Sequence, residues 1–244
     1  MKKALCLFLF LLTALSFAAC GREQNGNETE KPELTETETE GEENMSGNSN
    51  KLLYMGHASI RITASDGTVI YVDPYAGSGY DKAADVILVT HSHFDHCDLD
   101  LVKNRNDGCR VVTWKEALEE KSFDFGAVKA EAVEAGYNRN HSSDECVGYI
   151  LYLPGGVTVY VSGDTSKTEQ MPSLKEKNID YAFFCCDGIY NMDLDEAAEC
   201  ASLVGAKHNI PYHTAPGKLF DRSRAEKFDA ENRLIIDAGE EITL

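Results

Sequence analysis

The stretch at residues 91–96 contains four side chains that are able to bind a metal ion: His91, His93, Asp95 and His96. Residues 85–89 just before it are apolar and largely β-branched, which predicts a buried strand. In extended chain, His91 and His93 point to the same side, so two imidazoles can converge on one ion. The last two of the four precede a predicted helix over residues 97–104 and face a neighbouring point. The segment therefore predicts ligands for two adjacent metal ions.

Further candidate ligands lie where apolar segments end. Asp73, Asp164 and His213 each follow a predicted strand, and His141 lies in the polar loop of residues 137–145. Taken singly, each aspartate is also a common turn former and the loop histidine a common surface residue. Polar groups at the ends of buried strands can nevertheless converge on one rim of a sheet sandwich while the core stays apolar. We therefore expect these four residues beside the histidine-rich stretch.

Residues 51–244 form one predicted domain in which strands and helices are mixed. Strands are predicted at residues 51–54, 59–64, 68–72, 85–89, 109–113, 128–133, 148–153, 157–162, 181–185 and 208–212, with a closing pair at 234–236 and 241–244. Helices are predicted at residues 97–104, 115–120, 168–177, 194–204 and 223–228. Asp193 and Glu196 have the spacing of a capping box for the fourth of these helices. This order predicts two packed sheets that are covered outside by helices.

The first fifty residues are predicted to lie outside that fold. Residues 1–20 combine Lys2 and Lys3 with an apolar run and small residues before Cys20, which is typical of a secretory signal. The end of this segment resembles the lipobox of bacterial lipoproteins, which implies a lipidated Cys20 that anchors the protein to the cell membrane outside the cytoplasm. A plain secretory signal is the alternative. Residues 21–50 are acidic and almost without apolar residues, which predicts a disordered tether.

Charge and cysteine content limit the classes of partner. The formal net charge is −18; removing the nine acidic and four basic residues before residue 51 from the totals of 41 and 23 leaves −13. An acidic domain disfavours nucleic acid as a partner, so we expect a small-molecule substrate. The sequence does not indicate an oligomeric state. Six cysteines of the domain are expected to be mostly buried thiols, although a disulfide stays open: Cys97, Cys109, Cys146, Cys185, Cys186 and Cys200.

The motif H-x-H-x-D-H at residues 91–96, with the four further candidate ligands in order, resembles the metallo-β-lactamase superfamily over essentially all of residues 51–244. The resemblance implies an α+β fold, a four-layer αββα sandwich with its site at one edge of the two sheets. It assigns one metal ion to three histidines: His91, His93 and His141. It assigns a second ion to Asp95, His96 and His213. It makes Asp164 the ligand shared by both ions and Asp73 a support that orients ligands.

A ligand set of this kind predicts a hydrolase that uses a hydroxide bound between two divalent ions. The expected substrate is an ester, lactone, amide or phosphoester, and Asp95 or Asp164 is expected to take the proton. Zinc is expected, with manganese or iron as alternatives that the same donors fit. Two other classes stay open: a di-iron redox enzyme on the same scaffold, and a non-catalytic metal-binding lipoprotein.

Three further residues are candidates for contact with substrate. Gly56-His57-Ala58-Ser59 and the loop of residues 187–192 resemble the superfamily branch that contains ascorbate-6-phosphate lactonase. The resemblance places His57 near the site but not among the ligands, so it is predicted to act on substrate or water. Tyr190 and Lys218 follow strand ends at the same edge, and the ammonium of Lys218 is predicted to hold an anionic group. The alternatives are a structural hydrogen bond for His57 and an ordinary surface position for Lys218.

Overall fold

The computed structural model of the chain describes residues 49–244. The predicted signal at residues 1–20, with its Cys20, and nearly all of the predicted tether at residues 21–50 lie outside the described residues. Within the described part, none of the helices has the length and apolar character that a membrane crossing needs.

The strands of the described part form two six-stranded sheets. In chain order, the strands of the first sheet are β1 Lys51–Gly56, β2 Ser59–Thr63, β3 Val69–Val72, β4 Ala84–Leu88 and β5 Arg105–Val112. The second sheet contains β6 Ser122–Asp124, β7 Lys129–Glu134, β8 Val147–Tyr152, β9 Thr158–Val161, β10 Tyr181–Cys185 and β11 His208–Tyr212. The last strand, β12 Glu240–Thr243, returns to the first sheet. The spatial orders are β12-β1-β2-β3-β4-β5 and β11-β10-β9-β8-β7-β6.

Burial on both faces explains why β1, β3 and β4 of the first sheet are almost continuously apolar. In β1, Leu52 and Tyr54 belong to the large core between the sheets, whereas Leu53 and Met55 belong to a smaller cluster on the outer face. The same alternation continues in β3 and β4, because successive side chains of a strand point to opposite faces. The described residues therefore form the predicted α+β sandwich.

Strand direction brings several strand ends to one edge. β3 runs parallel to β4, and β9, β10 and β11 run parallel to one another. At this edge two backbone hydrogen bonds join the sheets: Val147 N donates to Thr90 O at 3.0 Å, and His213 N donates to His57 O at 2.9 Å. Residues that follow these strands are thereby held against each other.

Four α-helices lie among the described residues: α1 Trp114–Glu120, α2 Met171–Leu174, α3 Leu194–Val204 and α4 Arg222–Ala225. The predicted cap of α3 is present, because Oδ1 of Asp193 accepts a hydrogen bond from Glu196 N at 2.9 Å. The Glu196 carboxylate instead accepts from Lys167 N at 2.9 Å. Only the hydrogen bond to the Asp193 side chain of the capping box therefore forms, and the Glu196 side chain instead holds the loop at Lys167 against α3.

The prediction of a helix over residues 97–104 is wrong, because this segment forms only a 3₁₀ turn, Leu99–Leu101. Two carbonyls at this turn accept from a side chain rather than from the amides of a further helical turn. The guanidinium of Arg105 donates to Leu99 O at 2.7 Å and to Val102 O at 2.9 Å. Val102 is then buried in the outer cluster of the first sheet. The chain can therefore enter β5 directly at Arg105.

Other element boundaries also differ from the predictions. The predicted helix at residues 168–177 is reduced to α2 and a 3₁₀ turn, Lys175–Lys177, and α4 ends at Ala225. Residues 234–236 are not a strand; β12 pairs with β1 instead. The short strand β6 was not predicted, because its three residues carry too little alternation to be recognised. All six cysteines of the described part are free, four of them buried and Cys97 and Cys109 partly exposed.

Candidate metal centre

The predicted ligands all lie at the edge where strands of both sheets end. Asp73 follows β3, the stretch 91–96 follows β4, Asp164 follows β9, and His213 follows β11 directly. His141 enters from the loop between β7 and β8. The structure thus brings together all seven residues that the sequence predicted as ligands, together with Asp73.

Their donor atoms form overlapping groups in which all atoms lie within 4.8 Å of one another. The first group is His91, His93 and His141. The second is His57, Asp95, His96 and His213, and the third joins His91 and His96 to Asp164. The first two groups correspond to the two predicted ligand sets, except that His57 lies in the second set as well.

Asp164 lies between the two groups. Its Oδ2 is 3.4 Å from Nε2 of His141 and 3.5 Å from Nε2 of His213, and its Oδ1 is 3.5 Å from Nε2 of His96. The carboxylate therefore reaches toward both groups of donors, as a ligand shared by two ions must.

The buried carboxylate of Asp73 fixes the orientation of two histidines. Its Oδ2 accepts from Nδ1 of His96 at 2.8 Å and from the hydroxyl of Thr90 at 2.7 Å. Because that hydroxyl proton goes to a carboxylate, the Thr90 oxygen is free to accept from Nδ1 of His91, 2.9 Å away. Both imidazoles thus carry their proton on Nδ1 and present the lone pair of Nε2 to the site.

The side chain of Asn138 fixes the orientation of His141 in a similar way. Its Oδ1 accepts from the backbone amides of Asn140 and His141 at 2.9 and 3.0 Å, and lies 3.2 Å from Nδ1 of His141. Because three groups point at this one atom, Nδ1 of His141 is the donor and Nε2 faces the site.

The donor set fits metal ions, because several of its atoms are buried without a hydrogen-bond partner. These atoms are Nε2 of His91, Nε2 of His96, Oδ1 of Asp164 and both ring nitrogens of His213. A buried polar atom left unpaired costs about 1–3 kcal/mol, so a cluster of them at one place requires a partner. Imidazole nitrogens and carboxylate oxygens that share one small space are the ligands of zinc and similar divalent ions.

Protonation also favours cations at this place. Burial lowers the pKa of His91 to about 2, and the neighbouring His96 adds to this effect. Burial lowers the pKa of His141 and His213 too, against the opposing field of Asp164. Burial acts against a charged His96, yet the carboxylates of Asp164 and Asp73 raise its pKa well above the usual value. Metal binding requires neutral imidazoles as ligands, and the carboxylates of Asp164 and Asp73 attract a cation to the same place.

The backbone is strained at three residues of the site. His57, Asp73 and His213 have φ angles of 53°, 47° and 46°, in the left-handed region that residues other than glycine rarely adopt. Each such residue costs on the order of 1 kcal/mol, and the surrounding structure must offset this. At His57 and His213 the turns bring the two imidazoles together, with ring centroids 3.8 Å apart, and at Asp73 the turn directs the carboxylate to Thr90 and His96.

Two further contacts hold the acidic ligands. Nε2 of His57 lies 3.1 Å from Oδ2 of Asp95. Burial acts to raise the pKa of Asp95, but the hydrogen bond from His57 and the fields of His96 and His57 together outweigh it, so the pKa is lowered. On the other side, Nδ2 of Asn191 donates to Oδ2 of Asp164 at 2.7 Å and to Oδ2 of Asp187 at 2.8 Å. The loop after β10 therefore positions the central carboxylate.

The donors open into a cleft of about 520 Å³. Its lining includes His57 and Tyr190, as the sequence predicted, together with Phe94, Asn140, Pro216 and Gly217. Lys218 departs from the prediction. Its loop contributes Pro216 and Gly217 to the cleft, whereas its Nζ is 2.9 Å from Oδ2 of Asp221. The ammonium is thus engaged by a carboxylate of the same turn.

Sequence reasoning missed several residues that hold the ligands: Thr90, Asn138, Asp187 and Asn191. Asp187 carried a signal, because it follows the apolar strand β10 as Asp73 follows β3. The other three carried none, since a threonine or an asparagine in a loop has many ordinary uses.

Comparison with known proteins decides the family. The profile of the beta-lactamase superfamily domain matches residues 51–213, well over half of the chain. The chain belongs to the metallo-β-lactamase superfamily. A UPF0173 metal-dependent hydrolase of Pyrococcus furiosus is 30% identical to it over 227 residues, which cover 80% of this chain and 99% of that protein. The predicted likeness to the ascorbate-6-phosphate lactonase branch stays a prediction.

Solved structures share the metallo-β-lactamase fold. A candidate metal-dependent hydrolase of Parabacteroides distasonis has a TM-score of 0.64 at 27% identity, covering 76% of this chain and 92% of that chain. CmlA, a diiron β-hydroxylase from Streptomyces venezuelae, has a TM-score of 0.58 at 15% identity, covering 81% of this chain and 54% of its own. At that identity the second likeness shows the fold alone.

The hydrogen-bond chain through Thr90 gives a direct test. We expect Thr90→Val, which keeps the shape but removes the hydroxyl, to weaken metal binding by about 10–100-fold, because His91 loses the group that orients it. Thr90→Ser keeps the hydroxyl and is expected to stay close to the parent protein. Competition with a chelating dye measures both. Equal affinity of the valine and serine variants would contradict the role of this hydroxyl.

Proposed function

We propose that the chain is a metal-dependent hydrolase with two divalent ions at the strand-end edge of the sandwich. The observation that carries the proposal is the cluster of buried, unpartnered nitrogen and oxygen atoms, with Asp164 between two groups of donors. The 30% identical relative named as a metal-dependent hydrolase supports it. The activity of this chain is inferred from these two observations together.

The donor groups support one assignment of ligands. His91, His93 and His141 hold one ion; Asp95, His96 and His213 hold the other; Asp164 is shared. Five histidine nitrogens and the oxygens of two carboxylates at two small sites suit zinc best, and manganese or iron fit the same donors. When bound, the two ions supply a Lewis acid and lower the pKa of a water molecule toward neutrality.

The protein's own contribution is to position these groups and to handle the proton. Asp73 orients His96 directly and His91 through Thr90. Asn191 holds Oδ2 of Asp164, so this carboxylate serves as a ligand and is poorly placed to accept a proton. Asp95 is a quarter exposed, lines the cleft and lies against His57. We therefore assign the proton released at the site to the Asp95 Oδ2 and His57 Nε2 pair.

The cleft favours a small molecule. Its volume of about 520 Å³ is in the usual range of small-molecule sites. The reacting group is an ester, lactone, amide or phosphoester, in which water adds to a carbonyl carbon or a phosphorus and the bond to the leaving group breaks. With ions held by these ligands, a water molecule would serve as the nucleophile, so the reaction requires no serine or cysteine nucleophile.

We further propose that the protein acts outside the cytoplasm, anchored to the cell membrane by a lipid on Cys20. The support is the sequence alone: a positive start, an apolar run and small residues before that cysteine. The acidic residues 21–50 then serve as the tether between lipid and domain.

Replacement of the shared ligand tests the metal assignment. Asp164→Ala is expected to reduce bound metal at both positions, from two ions per chain to fewer than one, and to abolish turnover. His141→Ala is expected to lose about one ion. Asp144→Ala, in the same loop as His141 but exposed, is the matched control and keeps two ions. Metal analysis measures all three, and two full equivalents in the Asp164 variant would contradict a shared carboxylate.

The membrane anchor has its own test. Cys20→Ser is expected to release the protein from the membrane fraction or to leave the precursor uncleaved, because the thiol that accepts the lipid is gone. Cys6→Ser, within the signal itself, is the control and leaves processing unchanged. Immunoblots of fractionated cells distinguish the variants. Normal cleavage and membrane association of Cys20→Ser would reject lipidation.

A further inference from the structure

Six large apolar side chains remain exposed among residues 49–244; two of them line the cleft, and the others lie close in sequence or in contact to residues of the site. They are Tyr75, Phe94, Tyr137, Ile189, Tyr190 and Leu219. Phe94 lies between two candidate ligands in sequence, Tyr75 comes two residues after Asp73, and Ile189 and Tyr190 follow Asp187 in the loop that holds Asp164. Leu219 accepts the amide of His57 through its carbonyl, and Tyr137 precedes Asn138. An apolar patch gathered around a polar site marks a binding surface rather than chance exposure.

Two of these rings face the cleft itself. Phe94 and Tyr190 line it, and Phe94 leaves 79% of its surface exposed, so its ring adds little to the core. Tyr75 packs edge-on against Phe94 with ring centroids 5.8 Å apart, and against His57 at 5.5 Å. Tyr75 thereby connects the exposed ring of Phe94 to His57 at the candidate metal centre, and we call the rings of Tyr75, Phe94 and Tyr190 the aromatic wall of the cleft.

Tyr190 is held in place from the opposite side. Its carbonyl accepts from Nδ2 of Asn140 at 3.0 Å, and its amide donates to Oδ1 of Asp187 at 2.7 Å. Ile189 is tied in the same way, because its carbonyl accepts from the Arg139 guanidinium at 3.4 Å. The half-exposed ring is therefore displayed by a fixed loop.

Beyond the histidines and aspartates, the lining of the cleft carries no charged side chain: it consists of Phe94, Asn140, Tyr190, Pro216 and Gly217. Of the cations close to it in sequence, Lys218 pairs with Asp221, and the exposed guanidinium of Arg139 donates to Ile189 O outside the lining. Recognition of a phosphate or carboxylate substituent calls for a cationic side chain. An acidic domain also repels anions.

We propose that the substrate is an uncharged ester or lactone whose acyl chain or ring lies against Phe94 and Tyr190. This rests on the proposed hydrolase function and narrows it. Water adds to the carbonyl carbon, the carbon–oxygen bond to the alkoxy group breaks, and that oxygen takes a proton to give an alcohol from an ester or the hydroxyl of a hydroxy acid from a lactone. The carboxylic acid product is released as its anion, which the acidic domain repels.

The test uses 4-nitrophenyl acetate, butyrate and hexanoate with the metal-loaded protein, and bis(4-nitrophenyl) phosphate as the charged comparator. Full burial of one methylene group raises affinity about fourfold. Because the apolar side chains at the cleft are themselves half exposed or more, we expect kcat/KM to rise only about twofold per added methylene. The double variant Phe94→Asn/Tyr190→Asn is expected to reduce the hexanoate-to-acetate ratio to below about fourfold. Phe94→Leu with Tyr190→Phe keeps the wall apolar and is expected to retain most of the ratio.

Binding of 4-nitrophenyl hexyl ether, which cannot be hydrolysed as an ester, provides a second readout by saturation-transfer NMR. We expect it to bind more tightly than the methyl ether, and the asparagine double variant to lose that difference. Metal content and melting temperature of each variant confirm that the fold is intact.

The two readouts separate the two claims. If the hexyl ether is preferred and no ester or phosphodiester is turned over, the hydrolase function fails while recognition of an apolar group stands. If esters are hydrolysed but the rate ignores chain length, or if the phosphodiester is the better substrate, the hydrolase function stands and the substrate class proposed here is overturned. Equal binding of both ethers overturns it as well.

Discussion

The candidate metal centre depends on one buried carboxylate. Asp73 has no exposed surface, and its two oxygens accept hydrogen bonds from the amide and hydroxyl of Thr90 and from His96. A charge in this position is tolerated because each of its contacts is a donor. Through Thr90 it also sets the tautomer of His91. The strained backbone at Asp73 is therefore offset by the network that it organises.

Physical reasoning from the sequence predicted the architecture well where burial is two-sided. The continuous apolar runs of β3, β4 and β10 are required by cores on both faces, and such runs are visible in sequence. Polar residues that follow β3, β9 and β11, at Asp73, Asp164 and His213, could be expected at one edge because parallel strands end together. The structure places them there, although their roles as ligands stay a proposal.

What the sequence did not predict is decided by tertiary contacts of single side chains. Residues 97–104 have no local reason to stop as a 3₁₀ turn, since the Arg105 side chain that satisfies its carbonyls lies beyond the segment. Thr90 and Asn191 matter through partners distant in the chain. Lys218 was a reasonable anion-binding candidate by position, and its pairing with Asp221 could not be read from composition. The contact of Tyr75 with Phe94 in the aromatic wall is likewise a tertiary contact that the sequence did not predict.

The proposed hydrolase requires two metal ions at this edge of the sandwich. X-ray diffraction from crystals of the purified, metal-loaded protein, recorded on both sides of the absorption edge of the bound metal, tests it most directly. We expect two anomalous peaks, one about 2.0–2.1 Å from nitrogens of His91, His93 and His141, the other at the same distance from His96 and His213. Oxygens of Asp164 should reach both. A single peak, or none among these donors, would contradict the account.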